Sequence, residues 1–87
     1  MVESLNTIID GLKSRKHNIR FRDIQKLLIQ NGFIERHSKR GTSHRIFSHP
    51  KLMMNITLVT HGKNDLLPSY QVQDVIKALQ ELQELLS

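Results

Sequence analysis

The pair Asn31-Gly32 constrains the fold of this chain most, because it ends a helical pattern abruptly in the first half of the sequence. The segment RFRDIQKLLIQNGF (residues 20–33) has apolar side chains at the spacing of one helix face, namely Phe21, Ile24, Leu27 and Leu28. Glycine can close a helix by adopting the left-handed conformation, after which Phe33 can fold back on the last turn. We therefore predict a helix that stops at Asn31-Gly32.

Two other segments show helical periodicity. SLNTIIDGLK (residues 4–13) has Ser4 as a candidate N-cap and Gly11 as a weak point, and its apolar face consists of Leu5, Ile8, Ile9 and Leu12. YQVQDVIKALQELQELLS (residues 70–87) predicts the last helix. Its apolar stripe consists of Val72, Val75, Ile76, Leu79, Leu82, Leu85 and Leu86.

Three short segments between these helices are typical of strands. They are FIERHS (residues 33–38), SHRIFSH (residues 43–49) and MMNITLVTH (residues 53–61), with a turn at KRGT in which Gly41 is free to adopt positive φ. The third segment is rich in β-branched residues, which favour a pleated surface. Alternation places Met54, Ile56 and Leu58 on one face of it, and Asn55, Thr57, Val59 and His61 on the other.

The predicted order is α-α-β-β-β-α, which is an α+β fold with a three-stranded antiparallel sheet. So few apolar residues cannot bury both faces of the sheet, so we expect the helices on one face and an open second face. We predict one domain over residues 1–87, with a helical extension at 1–16 and a core at 21–80. A chain of 87 residues buries only roughly 60% of its unfolded surface, so a site on it should be shallow. That suits a polymeric substrate or a protein partner.

Charge is concentrated in one part of the chain. Residues 13 to 51 contain eleven of the thirteen Lys and Arg residues, opposed only by Asp23 and Glu35, and the net charge is +5 with a pI near 10.0. A basic patch of this kind attracts polyanions, of which nucleic acid is the usual one. Basicity that serves solubility alone is the alternative.

The chain has no cysteine, which excludes thiol chemistry and disulfides and fits a reducing compartment. Its first residues, MVESLNTIIDGLK, lack the continuous apolar run of a signal peptide. No segment approaches the roughly 20 apolar residues that a membrane span needs. We therefore expect a cytoplasmic protein without a membrane partner.

Several kinds of catalytic site fit the sequence poorly. A metal bound by His37, His44, His49 and His61 would lack cysteines and closely spaced histidine pairs, so we expect no metal and no other cofactor. Ser43 and His44 are neighbours on a strand, where successive side chains point to opposite faces, and no G-x-S-x-G elbow exists. Serine hydrolase chemistry is therefore not expected.

The remaining candidate is His44, which lies among basic residues in the sequence. A histidine can take and give a proton near neutral pH. Its surroundings include candidate phosphate ligands that could stabilise a charged phosphorane, namely Lys39, Arg40, Arg45, Lys51 and Lys63. RNA cleavage needs little more, because the substrate supplies its own nucleophile. On composition and spacing alone, the residues favour His44 as a hydrogen-bonded strand residue or a passive phosphate contact.

Four segments in this order are similar to the HicA family of toxin–antitoxin toxins. They are FRDIQKLLIQNGF, GTSHRIFSHP, ITLVTHGK and PSYQVQDVIKAL, and the resemblance runs from about Phe21 to Leu79. The family joins a helix ending in Gly-Phe to a strand that begins with Gly-Ser-His. This chain has Thr42 where the family usually has that glycine, with Gly41 one place earlier, and it lacks the proline that many members have before His61.

The resemblance implies a fold like that of a double-stranded-RNA-binding domain and a metal-independent ribonuclease that acts on mRNA. It also implies inhibition by a HicB-type antitoxin. Onto this chain it carries His44 as the catalytic residue and Gly41 and Ser43 as residues of the turn before it. We add Ser43 to the candidate RNA contacts, and His61 as the candidate for the second proton-transfer group.

Two other functions compete with this interpretation. A non-catalytic module that binds double-stranded RNA would show salt-dependent binding without cleavage. A helix-turn-helix DNA-binding protein would use residues 4–31, but the segment SRKHNIR is too long and too charged for the usual short turn.

Overall fold

The protein is described here from a computed structural model, which covers residues 4–15, 18–37, 44–60, 62 and 64–86. Its helices are α1 (Leu5–Ser14), α2 (Phe21–Gln30) and α3 (Ser69–Leu86), and its strands are β1 (Ile34–His37), β2 (His44–Ser48) and β3 (Ile56–Val59). The strands form one antiparallel sheet in the order β1-β2-β3. The predicted α+β class and the order α-α-β-β-β-α are confirmed.

Helix α2 ends as the sequence predicts. Gly32 has a φ of 91°, and its N–H donates to the Ile29 carbonyl at 3.1 Å while the N–H of Phe33 donates to the Leu28 carbonyl at 3.0 Å. These two bonds form a Schellman motif, which satisfies carbonyls that the helix end would otherwise leave without a partner. Phe33 is buried, so the chain turns back over the helix before β1 begins.

The first helix is capped and packed as expected. The Ser4 hydroxyl accepts the N–H of Thr7 at 3.3 Å, which confirms Ser4 as the N-cap. Three residues of α1, namely Ile8, Ile9 and Leu12, are buried, and the helix contacts α3. A bond of 2.6 Å from Gln83 Nε2 to Asn6 Oδ1 joins the two helices at the surface.

The two faces of the sheet follow from strand alternation. Phe47 is fully buried against the helices, and its ring centroid lies 6.4 Å from that of Phe21. Ile56 and Leu58 are buried on the same face, as predicted. The opposite face, here called the open face, carries the side chains of Ile34, Arg36, His44, Ile46, Ser48, Thr57 and Val59.

Three apolar residues on predicted apolar faces are exposed rather than buried. Met54 lies before β3, which begins only at Ile56, and it is 79% exposed rather than part of the core face. Leu85 and Leu86 are also exposed, because Leu82 is the last buried residue of α3 and the final turn extends beyond the core. The apolar stripe of α3 therefore ends at Leu82. In the part of the chain that the structure describes, no helix is long and apolar enough to cross a bilayer.

Candidate active site

His44 is the first residue of β2 and its side chain is exposed on the open face. It lies opposite Val59 of β3 in the sheet register. The N–H of Val59 donates to Gln71 Oε1 at 3.3 Å and so points away from β2. His44 and Val59 consequently form the non-hydrogen-bonded kind of antiparallel pair, in which facing side chains lie closest together.

Arg36 shares the open face with His44. It lies opposite Ile46, two residues along β2 from His44, and its side chain is exposed. Diagonal neighbours of this kind are about 7–8 Å apart, a distance that an arginine side chain can span. Arg36 was not among the residues expected from the sequence, although the same strand alternation that exposes His44 would have found it.

Arg45 follows His44 in the chain but faces the helices. Its Nη1 lies 2.9 Å from Glu35 Oε2 and 3.1 Å from His37 Nε2, and its guanidinium carbon lies 5.8 Å from the centre of the Phe21 ring. Arginine can only donate, so His37 Nε2 is the acceptor, and a neutral His37 carries its proton on Nδ1. The predicted contact of Arg45 with RNA stays a prediction, and the structure places its side chain on the sheet face opposite His44.

Glu35 is the centre of a half-buried polar network that was not expected from the sequence. Its Oε2 pairs with Arg45, while its Oε1 accepts a hydrogen bond of 2.7 Å from Gln25 Nε2. The network joins α2, β1 and β2 directly beneath the strand that begins with His44. The available signal was that only Glu35 and Asp23 oppose the basic stretch.

His49 has both ring nitrogens engaged within the fold. The backbone N–H of Lys51 donates to its Nδ1 at 3.1 Å, so Nε2 carries the proton and donates to the Asn31 carbonyl at 3.2 Å. Its ring also meets Phe33 edge-on at 4.9 Å between centroids. His49 therefore links the end of α2 to the chain after β2, while the Lys51 side chain stays exposed.

The structure describes only part of the predicted site, and among the described residues it places Arg45 on the face opposite His44. His44, Arg45 and Lys51 are described, whereas Lys39, Arg40, Gly41, Ser43, His61 and Lys63 lie outside the described residues, and so does Thr42. Among the residues that are described, no group of three or more His, Asp or Glu side chains could hold a metal ion.

Comparison with known proteins identifies a family. The family model described as HicA toxin of bacterial toxin–antitoxin matches residues 21–82, which is more than two thirds of the chain. The match begins at the first residue of α2 and leaves α1 outside it. No curated protein and no solved structure matches the chain.

Proposed function

The chain belongs to the HicA toxin family, and from this premise we propose that it cleaves mRNA without a metal ion, with His44 as general acid or base. Family membership makes it the toxin of a bacterial toxin–antitoxin system, in which an antitoxin is the partner. Nuclease activity, the RNA substrate and the role of His44 are the proposed steps.

The observation that carries the proposal is the position of His44 on the open face of the sheet. The imidazole is exposed, and Arg36 is its diagonal neighbour on the same face. A long polymer can lie across an open sheet face without entering a pocket. A phosphate placed over His44 would be within reach of the Arg36 guanidinium, which binds phosphate through paired donors.

The chemistry requires two proton transfers. A base takes the proton of the ribose 2′-hydroxyl, and the 2′-oxygen attacks the adjacent phosphorus to form a new P–O bond. The bond from phosphorus to the 5′-oxygen breaks, and an acid protonates that leaving oxygen. The products are a 2′,3′-cyclic phosphate and a 5′-hydroxyl. Arginine or lysine side chains stabilise the extra negative charge that the phosphate oxygens carry in the transition state.

His61 is our candidate for the second proton-transfer group. It lies two residues after Val59 in the chain, and Val59 lies opposite His44 in the sheet. The proposed phosphate contacts besides Arg36 are Lys39, Arg40, Ser43, Lys51 and Lys63.

The test is cleavage of labelled mRNA by purified protein in EDTA. We expect cleavage by the wild-type protein, with cyclic-phosphate and 5′-hydroxyl ends, and a loss of at least about a hundredfold in His44→Ala, as expected for a general acid or base. Ser48→Ala, also on the open face, is the matched control and should cleave normally. Equal rates in wild type and His44→Ala would contradict the proposal.

The competing function is non-catalytic binding of double-stranded RNA. It predicts retention of duplex RNA that weakens as salt is raised, with no cleaved ends in any condition. The EDTA assay separates the two functions, because only the nuclease produces new 5′-hydroxyl ends.

We also propose that the antitoxin is of the HicB type and covers His44 with acidic groups. The net charge of +5 favours such a partner by electrostatic complementarity. The complex should form more slowly as ionic strength rises and should suppress RNA cleavage completely when formed in excess antitoxin.

A further inference from the structure

A cavity of about 370 Å³ lies beside the open face and has no role in the proposed proton transfers. A volume of this size falls within the range of small-ligand pockets. The cavity is lined by Val59, Asp65, Leu66, Pro68, Tyr70 and Gln71.

The cavity is a direct neighbour of His44. Val59 lines the cavity and is also the residue opposite His44 in the sheet. Facing residues in antiparallel pairs typically have Cβ atoms about 4.5–5.5 Å apart, so we expect the side chains of His44 and Val59 to be close neighbours. The edge of the cavity at Val59 therefore lies directly across the sheet from His44.

Backbone hydrogen bonds hold one wall of the cavity in place. The N–H of Phe21 donates to the Asp65 carbonyl at 2.8 Å, and the N–H of Leu67 donates to the Ile19 carbonyl at 2.9 Å. These bonds tie the segment around Leu66 to the start of α2. The wall is thus part of the folded protein and does not have to form when a ligand arrives.

Tyr70 presents an aromatic ring at this cavity. Its side chain is 64% exposed, although it lies in the first turn of a helix that otherwise buries its apolar face. The Tyr70 hydroxyl accepts a hydrogen bond of 3.3 Å from Gln71 Nε2. Gln71 is itself buried and holds the N–H of Val59 through its other side-chain atom, so one glutamine links the ring to the strand opposite His44.

We propose that this cavity binds one nucleobase of the RNA next to the phosphate at His44, with the Tyr70 ring as its stacking surface. The proposal rests on the proposed RNA cleavage and assigns the site a base-binding residue. Stacking of bases on exposed aromatic rings is a usual means of binding single-stranded RNA, because every base offers a flat face. Tyr70 would bind and position the strand and would not take part in proton transfer.

Intrinsic fluorescence offers a direct test, because the chain has one tyrosine and no tryptophan. A short single-stranded oligouridylate is titrated into the His44→Ala protein, which binds without cleaving. We expect saturable quenching of Tyr70 fluorescence. An oligomer of the same sugar-phosphate backbone without bases should bind more weakly and leave the fluorescence unchanged.

Substitution separates the ring from its hydroxyl. By anisotropy of labelled oligouridylate, Tyr70→Ala should weaken binding about tenfold, as expected for the loss of one stacked base. Tyr70→Phe loses the bond to Gln71 but keeps the ring. It should bind within about twofold of the parent, because the stacking surface is retained. Thermal unfolding of both variants checks that the fold is retained.

The outcomes distinguish this proposal from the one on which it rests. If His44-dependent cleavage is found but Tyr70→Ala has unchanged RNA affinity and KM, the base site is wrong and the nuclease stands. If Tyr70→Ala weakens only antitoxin binding, the cavity belongs to the protein interface and the base site is again wrong. A wild-type protein that neither binds nor cleaves RNA contradicts both.

Discussion

At the scale of single residues, successive residues of a strand contact different surroundings because their side chains lie on opposite faces of the sheet. His44 is exposed on the open face, whereas Arg45 is turned toward Phe21 and Glu35. A charge in the basic stretch is therefore not automatically available to a polyanion. A basic side chain that shares the open face with His44 is that of Arg36, from the neighbouring strand.

The Glu35–Arg45 pair should stabilise the fold measurably. The side chains are only 13% and 27% exposed, so solvent screens them less than it screens a surface pair. Glu35→Gln removes the charge at nearly constant shape and should lower the free energy of unfolding by about 2 kcal/mol, the scale of a charge-assisted hydrogen bond. Urea denaturation measures this difference.

The matched control for that measurement is Glu81→Gln, the same change at an exposed position of α3. It should change the free energy of unfolding by less than about 0.5 kcal/mol, as surface substitutions usually do. Equal effects of the two substitutions would show that the Glu35–Arg45 pair contributes nothing beyond a surface charge.

At the scale of elements, the end of α2 determines where the sheet begins. The Schellman motif at Gly32 reverses the chain so that Phe33 is buried and β1 starts at the next residue. His49, directly after β2, stabilises the same turn after α2 through its hydrogen bond to the Asn31 carbonyl. The position of β2, and with it His44, depends on this turn.

Gly32→Ala should therefore destabilise the protein by about 1–2 kcal/mol, the cost of a left-handed conformation for a residue with a Cβ. The new Cβ would also lie only 3.1 Å from His49 Nε2. Thermal or urea unfolding gives the magnitude, and cleavage of RNA by the same variant shows whether the shifted turn moves His44.

Gly11→Ala should change the free energy of unfolding in the opposite direction to Gly32→Ala. Gly11 lies inside α1, and a Cβ there would meet nothing within 4 Å. Alanine should raise the free energy of unfolding by about 0.5–1 kcal/mol by restricting the unfolded chain. A loss of stability at Gly11, or none at Gly32, would contradict this account of the two glycines.

At the scale of the whole molecule, α1 belongs to the core although it lies outside the segment that matches the HicA family. Its buried side chains Ile8, Ile9 and Leu12 cover part of α3. Each such side chain contributes about 1.5–3 kcal/mol when buried. Three of them are comparable with the total stability of about 5–15 kcal/mol that a small domain has.

Removal of residues 1–17 should accordingly leave a protein that is largely unfolded at 37 °C, even though residues 21–82 match the family. Circular dichroism during heating is the measurement. A protein that is already unfolded has no measurable free energy of unfolding, so Ile9→Ala serves as a milder variant. It should lower the free energy of unfolding by about 2–3 kcal/mol. Cooperative unfolding of the truncated protein at the wild-type temperature would show that α1 is dispensable.

Local chemistry in the sequence determined much of the fold. The Ser4 cap, the stop at Gly32 and the alternation of Ile56 and Leu58 were all predictable, because each depends only on a residue and its near neighbours. The α-α-β-β-β-α order follows from these signals. The resemblance to the HicA family, rather than the basic stretch alone, selected His44 as the candidate catalytic residue before the structure placed it on the open face.

Tertiary structure alone decided which groups meet across the fold. The register placed Arg36 diagonal to His44, paired Arg45 with Glu35, and set the Tyr70 cavity beside Val59. Met54, Leu85 and Leu86 are exposed although the sequence places them on apolar faces, because apolar spacing cannot show where a core ends. Contacts between distant residues depend on register and packing, since these are set by the whole chain and no short segment encodes them.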